Sequence, residues 1–377
     1  MDKKKWIRHL PLYILELVVL AAAIGALYFV MHATKAQKQQ IKEGDIAVNE
    51  EIRQQFQNDT EEDQEQDPQK PNLSGIYQLA LFGVDARDGS LGKGNRSDTI
   101  MICSIDADTH EVKLISIYRD TYLNLGNDSY NKCNAAYAKG GPAQAISMIN
   151  MNTDLYITDY VTVGFEGLIK AVDALGGVEL EVTEKEIPHL NNYQICMVGT
   201  SEDGVNFTAQ EDSYIPVTEP GVQTLNGLQA TAYCRIRYIG DDFQRAQRQR
   251  DLITAMMEKC KTASFNELRL AAEAVVPYIS TSLDINDILT MLSVVGDYQV
   301  TVSDGFPFAG MRNGGTKGGV GAFVVPVDLK TNVVKLHELL YDQQDYEPSE
   351  EVKAYSKIIK EDTDAYLLSC KIKCDKG

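Results

Sequence analysis

From residue 76 onward, strand-length apolar runs give way to alternating strand and helix patterns, which confines this part of the chain to the α/β class. IYQLALFGV, TIMICSID and EVKLISI are apolar or alternating runs that read as three strands, the last two joined across ADTH as a hairpin. A helix over 142–151, a strand over 160–165, a helix over 166–175 closed by Gly176 and Gly177, and a strand over 178–182 follow. Residues 183–222 are polar and aperiodic, the pattern of an insertion or a lid. Asp241 or Asp242 caps a helix running to about Lys261, with Phe243, Ala246, Ile253 and Met257 facing the core and Arg245, Arg248, Gln249 and Leu252 sharing another face. Two further helical stretches precede a Gly-rich segment at 304–321, a strand GAFVVPV and a helix NVVKLHELLYD.

The chain ahead of residue 76 divides in two. Lys3, Lys4, Lys5 and Arg8 precede a stretch over 10–31 whose only charge is Glu16. At ~1.5 Å per residue those 22 residues reach ~33 Å, enough to cross a bilayer core. A cleaved signal peptide would have a shorter apolar core ending in small residues, whereas this one ends in Tyr28, Phe29, Val30 and Met31, so an uncleaved single-pass anchor is expected. The Lys/Arg bias favours a cytoplasmic N-terminus and an outside C-terminus. Residues 32–74 are rich in Gln, Glu, Asp and Lys, with EEDQEQD at 61–67, and read as an acidic stalk without a core of its own.

The net charge of −18 and a pI near 4.7 argue against nucleic acid as a partner, because phosphate backbones need a basic face. Seven cysteines are present. Cys103, Cys133, Cys196, Cys234 and Cys260 lack metal-ligand spacing and read as small core residues, while Cys370 and Cys374 form a close pair in the tail, read either as a small disulfide loop or as two thiols.

Against that acidity, five of the twelve arginines, Arg235, Arg237, Arg245, Arg248 and Arg250, fall within sixteen residues. Guanidinium offers a planar fork that matches phosphate or carboxylate oxygens two at a time, so the cluster points to an anion site; the competing reading is a solvated helix face paired to acids one turn away. Three strand ends carry acid with arginine: Asp85 and Arg87 after the first strand, Arg96 and Asp98 at the second, Arg119 and Asp120 after the third. One Asp in such a place is ordinarily a turn or cap residue. Repeated three times beside an arginine cluster, the pattern suits a divalent cation on carboxylates with guanidiniums on the phosphates it bridges. GTKGG and GKGNRS lack P-loop spacing, leaving the Gly-rich segment as a mobile hairpin loop; the five histidines are isolated, and GFEGL lacks a nucleophilic serine.

In order along the chain, LFGVDAR, NRSDTIM, LISIYRDTYL, KCNAAYAKGGP, AVDALGGVEL, LNGLQATAYCRIRY and DDFQRAQRQRDL closely resemble the LytR-CpsA-Psr family of cell-wall enzymes over 77–261. VVPVDLKTNVVKLHELLY resembles the end of the same family's extracellular part. The resemblance implies a membrane-anchored extracellular phosphotransferase that moves an anionic glycopolymer, such as a teichoic acid or capsule, from a polyprenyl-pyrophosphate carrier to peptidoglycan. It implies Mg²⁺, or Mn²⁺, on Asp85 and Asp98. Arg119 and Asp242 are then the catalytic pair, and Arg87, Arg96, Arg235, Arg237, Arg245 and Gln249 the pyrophosphate contacts. Tyr118 departs from the proline the family usually carries before that arginine, which bears on how rigidly Arg119 is presented.

The expected fold is α/β, a mixed central β-sheet flanked by helices on both sides and preceded by one transmembrane helix. Its divisions are a cytoplasmic tail (1–9), the anchor (10–31), the stalk (32–74), the catalytic domain (75–345) and a C-terminal tail (346–377). Competing readings are a polyprenyl-pyrophosphate pyrophosphatase at the same site, a membrane-bound transcriptional attenuator and a glycan-binding module. The apolar side chains at 143–151 and 253–257 are expected to pack the core or to line a slot for the polyprenyl tail.

Overall fold

The structure, a computed structural model, describes residues 41, 43–58, 75–86, 89–201, 207–210 and 212–367. The apolar stretch at 10–31, Arg87 and the Cys370 and Cys374 pair lie outside the described residues. Among the described residues, no helix is long and apolar enough to cross a membrane.

The three expected strands form as β1 (Ile76–Val84), β2 (Ser97–Asp106) and β3 (Glu111–Ile117). Short β4 (Tyr122–Asn124) and β5 (Tyr130–Lys132) pair as a separate ribbon, as do β7 (Val178–Val182) and β8 (Gly221–Leu225). With β6 (Asp159–Val163), β9 (Ile279–Thr281) and β10 (Gln299–Phe306), the first three build a six-stranded sheet ordered β10-β3-β2-β1-β6-β9. The β1/β6 and β3/β10 pairs are parallel and the others antiparallel, so the sheet is mixed. A register shift at Gly83/Val84 bulges β1 where it meets the site.

Alternation along the strands assigns the two faces. Ala80, Phe82, Ile100, Ile102, Ile115 and Ile117 enter the main core with the helices Asn134–Thr153, Leu329–Tyr341 and Glu350–Thr363. Leu79, Met101, Cys103 and Leu114 point the other way, against Ile253 and Met257 of the helix Asp242–Thr262. Helices therefore cover both faces, and burial on both sides explains the near-continuous apolar runs of β2 and β3.

Several local expectations are corrected. The helix expected from Pro142 starts at Asn134 and bends at Gly141 (φ 69°), because Pro142 cannot continue the hydrogen-bond ladder behind it. The strand at 178–182 leaves the main sheet to pair with Gly221–Leu225. The supposed irregular insertion contains the helix Ile187–Val198, whose Leu190 is fully buried; its polar composition hid a narrow apolar stripe. Asp241 is the cap of the Asp242–Thr262 helix, its side chain accepting from the backbone N–H of Phe243 and Gln244, which leaves the Asp242 side chain for other partners. On that helix Leu252 is buried along with Ala246, since protein covers both faces. The Gly-rich segment, expected as a loop, supplies the strand Arg312–Lys317, which pairs in a hairpin with the expected strand GAFVVPV at Gly321–Pro326. Val352, Tyr355 and Ile359, from the stretch read as a tail, and Ile46, from the stretch read as a stalk, belong to the main core. Cys103, Cys133 and Cys234 are buried and Cys196 and Cys260 half-buried, all five as free thiols.

Candidate active site

A cavity of about 560 Å³ opens on the second face of the sheet, between β1, β2, β6 and the Asp242–Thr262 helix. The odd positions of β1 run along it through Leu81 and Gly83 to Asp85, which stands just past the strand end. Along the helix, Arg245, Gln249, Leu252 and Met256 follow at successive one-turn intervals on the same side, so each turn of ~5.4 Å carries the wall from charge toward hydrocarbon. The apolar part is completed by Met101, Val161, Leu168, Ile253, Val275 and Ile279. The helix near 143–151 lies on the opposite face and takes no part, while Ile253 and Met256 do line the slot.

The polar part is an arginine cluster wrapped around one carboxylate. Arg119 Nη1 donates to Asp98 Oδ1 at 2.8 Å, Arg237 Nη2 to Asp98 Oδ2 at 2.9 Å, and Arg245 Nη2 to the Asp98 carbonyl at 3.3 Å. Burial opposes ionisation of Asp98, but Arg119, then Arg245 and Arg237, outweigh it and hold the carboxyl below its usual range. Asp242 pairs with Arg245 at 2.8 Å and with Arg119 Nε at 3.5 Å; here burial prevails over the guanidiniums and its pKa is raised. Burial, with Arg119 and Arg237 nearby, brings Arg245 down to about 10 despite Asp242, so it is still a cation at neutral pH. Arg245 is 3% exposed, and its Nε and Nη1 find no acceptor among the described residues. A buried guanidinium with unsatisfied donors is costly unless an anion meets it.

The sequence-derived candidates divide clearly. Asp85, Asp98, Arg119, Arg235, Arg237, Arg245 and Gln249 all line the cavity. Asp242 does not reach its wall and instead holds Arg119 and Arg245 from behind. Arg96 is exposed at the foot of β2, away from the cavity. Arg248 and Arg250, from the same cluster, are buried structural groups: Arg248 bonds Glu186 at 2.7 Å and the carbonyls of Ile236 and Ile239, and Arg250 bonds Ser303. The cluster is thus divided between arginines that line the cavity and structural arginines that pair in the interior and not with solvated acids.

Sequence reasoning missed the aromatic supports. The Arg235 guanidinium lies 4.4 Å from the Phe165 ring centre and 5.3 Å from that of Tyr193, which fixes its plane by cation–π contact. Arg312 lies 3.7 Å from the Phe243 ring centre and 5.2 Å from that of Tyr118, and Phe243 meets Tyr118 edge-on at 4.5 Å. No local spacing signals such contacts, because the partners come from elements far apart in sequence.

For a divalent cation the cavity offers carboxylate oxygen from Asp85 and Asp98 alone among its described lining, and no cluster of three or more His, Cys, Asp or Glu gathers among the described residues, here or elsewhere. An oxygen-only pair fits Mg²⁺, which takes one or two protein carboxylates and fills its octahedron with phosphate oxygens and water, and it does not fit zinc.

A mixed α/β fold whose cavity sets arginines and carboxylates beside an apolar slot is the class of protein this geometry defines. The LytR_cpsA_psr family model matches residues 34–304, and the chain belongs to that family. A polyisoprenyl-teichoic acid–peptidoglycan teichoic acid transferase TagU from Oceanobacillus iheyensis is 33% identical over 226 residues, 57% of this chain and 61% of that protein. Biofilm regulatory protein A from Streptococcus mutans is 30% identical over 223 residues, 56% of this chain and 50% of that protein. The matched stretch thus spans about half to three-fifths of these curated relatives. Among solved structures, a transcriptional regulator from Enterococcus faecalis superposes with a TM-score of 0.59 at 22% identity, covering 80% of this chain and 100% of that one. A LytR-CPS2A-psr family protein, YwtF (TagT), with bound octaprenyl pyrophosphate gives 0.51 at 20% identity over 73% and 92%. Both share the fold.

Proposed function

We propose that this chain is a phosphotransferase that moves a glycopolymer from a polyprenyl-pyrophosphate carrier onto peptidoglycan, outside the cell and tethered by the apolar stretch at 10–31. The observation that carries the proposal is the union, in one cavity, of a hydrocarbon slot with four guanidiniums set against two carboxylates. That pairing matches an amphiphile whose tail is apolar and whose head is a pyrophosphate. The relatives named as teichoic acid transferases and the solved relative holding octaprenyl pyrophosphate support the same substrate class.

In this reading Arg235, Arg237 and Arg245 hold the pyrophosphate, with the plane of Arg235 fixed by Phe165 and Tyr193. Arg119, aimed by Asp98 and Asp242, donates to the bridging oxygen as it gains charge. Asp85 and Asp98 would hold Mg²⁺, which supplies charge neutralisation across the two phosphates. The acceptor hydroxyl attacks the glycan-linked phosphorus, the bond to the bridging oxygen breaks, and polyprenyl monophosphate leaves. The full chain incubated with a lipid-pyrophosphate-linked glycan, Mg²⁺ and peptidoglycan fragments should yield glycan-bearing peptidoglycan. Release of free glycan phosphate alone would make the protein a pyrophosphatase, and no turnover would remove it from this chemistry.

A further inference from the structure

A second cavity, of about 470 Å³, meets the first across a wall made of Asp85, Gly164, Phe165 and Arg235. We propose that it receives the acceptor, as an uncharged N-acetylhexosamine stretch of the peptidoglycan glycan strand; the assignment rests on the transfer reading above. Three features carry it. The shared wall includes a guanidinium and a carboxylate that face the donor head, so a sugar seated here abuts the reacting phosphate without entering the lipid slot. Phosphoryl transfer brings the attacking oxygen in line with the leaving group and opposite to it. With the leaving polyprenyl phosphate in the first cavity, a nucleophile must approach from the other side of the pyrophosphate, and the second cavity is the built space adjoining it.

The described lining is mostly ring and hydrocarbon surface. Phe165, Phe207 and Tyr278 offer aromatic surface and Met197, Val198 and Leu228 offer aliphatic surface. The charged groups among its described residues are Asp85, Glu166 and the shared Arg235. The apolar face and acetamido methyl of a neutral sugar pack against such rings. Its hydroxyl and amide donors suit the exposed Glu166 carboxylate. On transfer, the acceptor oxygen forms the new bond to phosphorus, the hydroxyl proton passes to solvent, and polyprenyl monophosphate departs with the electrons of the broken bond.

Binding of a fluorescent N-acetylglucosamine tetrasaccharide to the full chain in detergent, measured by anisotropy without donor, tests this independently of turnover. Val198→Trp fills the cavity from a position 39% exposed, where the fold tolerates bulk, and Glu166→Gln removes the carboxylate while keeping its shape. Each should weaken tetrasaccharide binding by about tenfold or more while leaving polyprenyl-pyrophosphate affinity within about twofold. Wild-type protein that ignores the tetrasaccharide, or variants that bind it unchanged, would overturn the proposal. So would variants that lose only a polyprenyl-pyrophosphate-linked glycan, since the cavity would then hold the donor's own sugars. Tetrasaccharide binding that responds to both variants in a protein with no affinity for polyprenyl pyrophosphate would instead sink the transfer reading and leave the sugar site standing.

Discussion

Arg119 is held at both ends of its guanidinium, by Asp98 on the cavity side and Asp242 behind, and that restraint is what a transition-state donor requires. Arg119→Ala should lower kcat on the order of 10²–10³-fold with a much smaller change in donor affinity. Arg119→Lys should stay well below wild type, because an ammonium cannot span the two carboxylates in one plane. A raised KM at intact kcat would reduce Arg119 to a binding residue. The two carboxylates titrate with opposite signs. Asp98, held low, stabilises the fold above the usual carboxylate pKa and loses that contribution as pH falls through its depressed value. Asp242, raised by burial, contributes below the usual value and loses that contribution as pH rises through its elevated one. Because Asp242 must be ionised to hold Arg119 and Arg245, kcat should fall as pH drops through a limb above the ordinary carboxylate range, and Asp242→Asn should abolish that limb. A limb unchanged in the variant would dissociate Asp242 from the arginines' function. Asp85→Ala and Asp98→Ala should each weaken Mn²⁺ binding followed by electron paramagnetic resonance; an unaltered titration in both would remove them as ligands. These polar residues were legible in the sequence because acid and arginine recur at strand ends. Phe165 and Tyr193 were not, since a ring that orients a guanidinium carries no mark distinguishing it from a core aromatic.

At the scale of elements, the third strand, the start of the Asp242–Thr262 helix and the Gly-rich hairpin are locked together behind Arg119. A Cβ at Gly305 would fall within the Tyr118 phenol, so glycine there makes the room that Tyr118 occupies. Tyr118 in turn meets Phe243, and Arg312 from the hairpin lies over both rings. This clamp sets Arg119 and Asp242, each one residue from a clamped ring, and answers how the loop stays rigid with Tyr118 at that position. Arg312→Met keeps the aliphatic packing and removes the cation, and it should cost ~1–2 kcal/mol of stability together with a fall in kcat larger than any rise in KM. Loss of stability with kcat intact would make the clamp purely architectural. The strands were readable because period and length agree, GAFVVPV in the hairpin included, and the hairpin's first strand was not, because its glycines suppress the strand signal. The helix at 187–198 was hidden for a related reason, its apolar contacts being few and its flanks polar.

At the scale of the molecule, the segment following the proposed anchor is tied to the body through a buried polar hub. Asn49, 2% exposed, donates to the Met151 carbonyl at 3.0 Å and to Asp154 at 2.6 Å, and Asp154 accepts from the backbone N–H of Ser349 at 2.8 Å and from its hydroxyl at 2.7 Å. Three stretches separated by up to 300 residues thus share one carboxylate. Ile46 and Ile52 are buried in the same segment, which is therefore fixed to the body despite its acidic, polar surroundings in sequence. Composition misled because it averages over residues 32–74, whereas docking rests on a few side chains, Ile46, Asn49 and Ile52 among them. Asn49→Ala removes the bridge while leaving Asp154 its Ser349 partners, so the loss should be that of a buried hydrogen-bonded group, about 1–3 kcal/mol. Thermal unfolding should shift down by several degrees for a protein of this size. Asp154→Ala strips the hub from all three stretches and should cost more than Asn49→Ala, with the double variant no worse than Asp154→Ala because both changes act on one network. Strictly additive losses in that cycle would show the segment to be held by Ile46 and Ile52 independently of the hub.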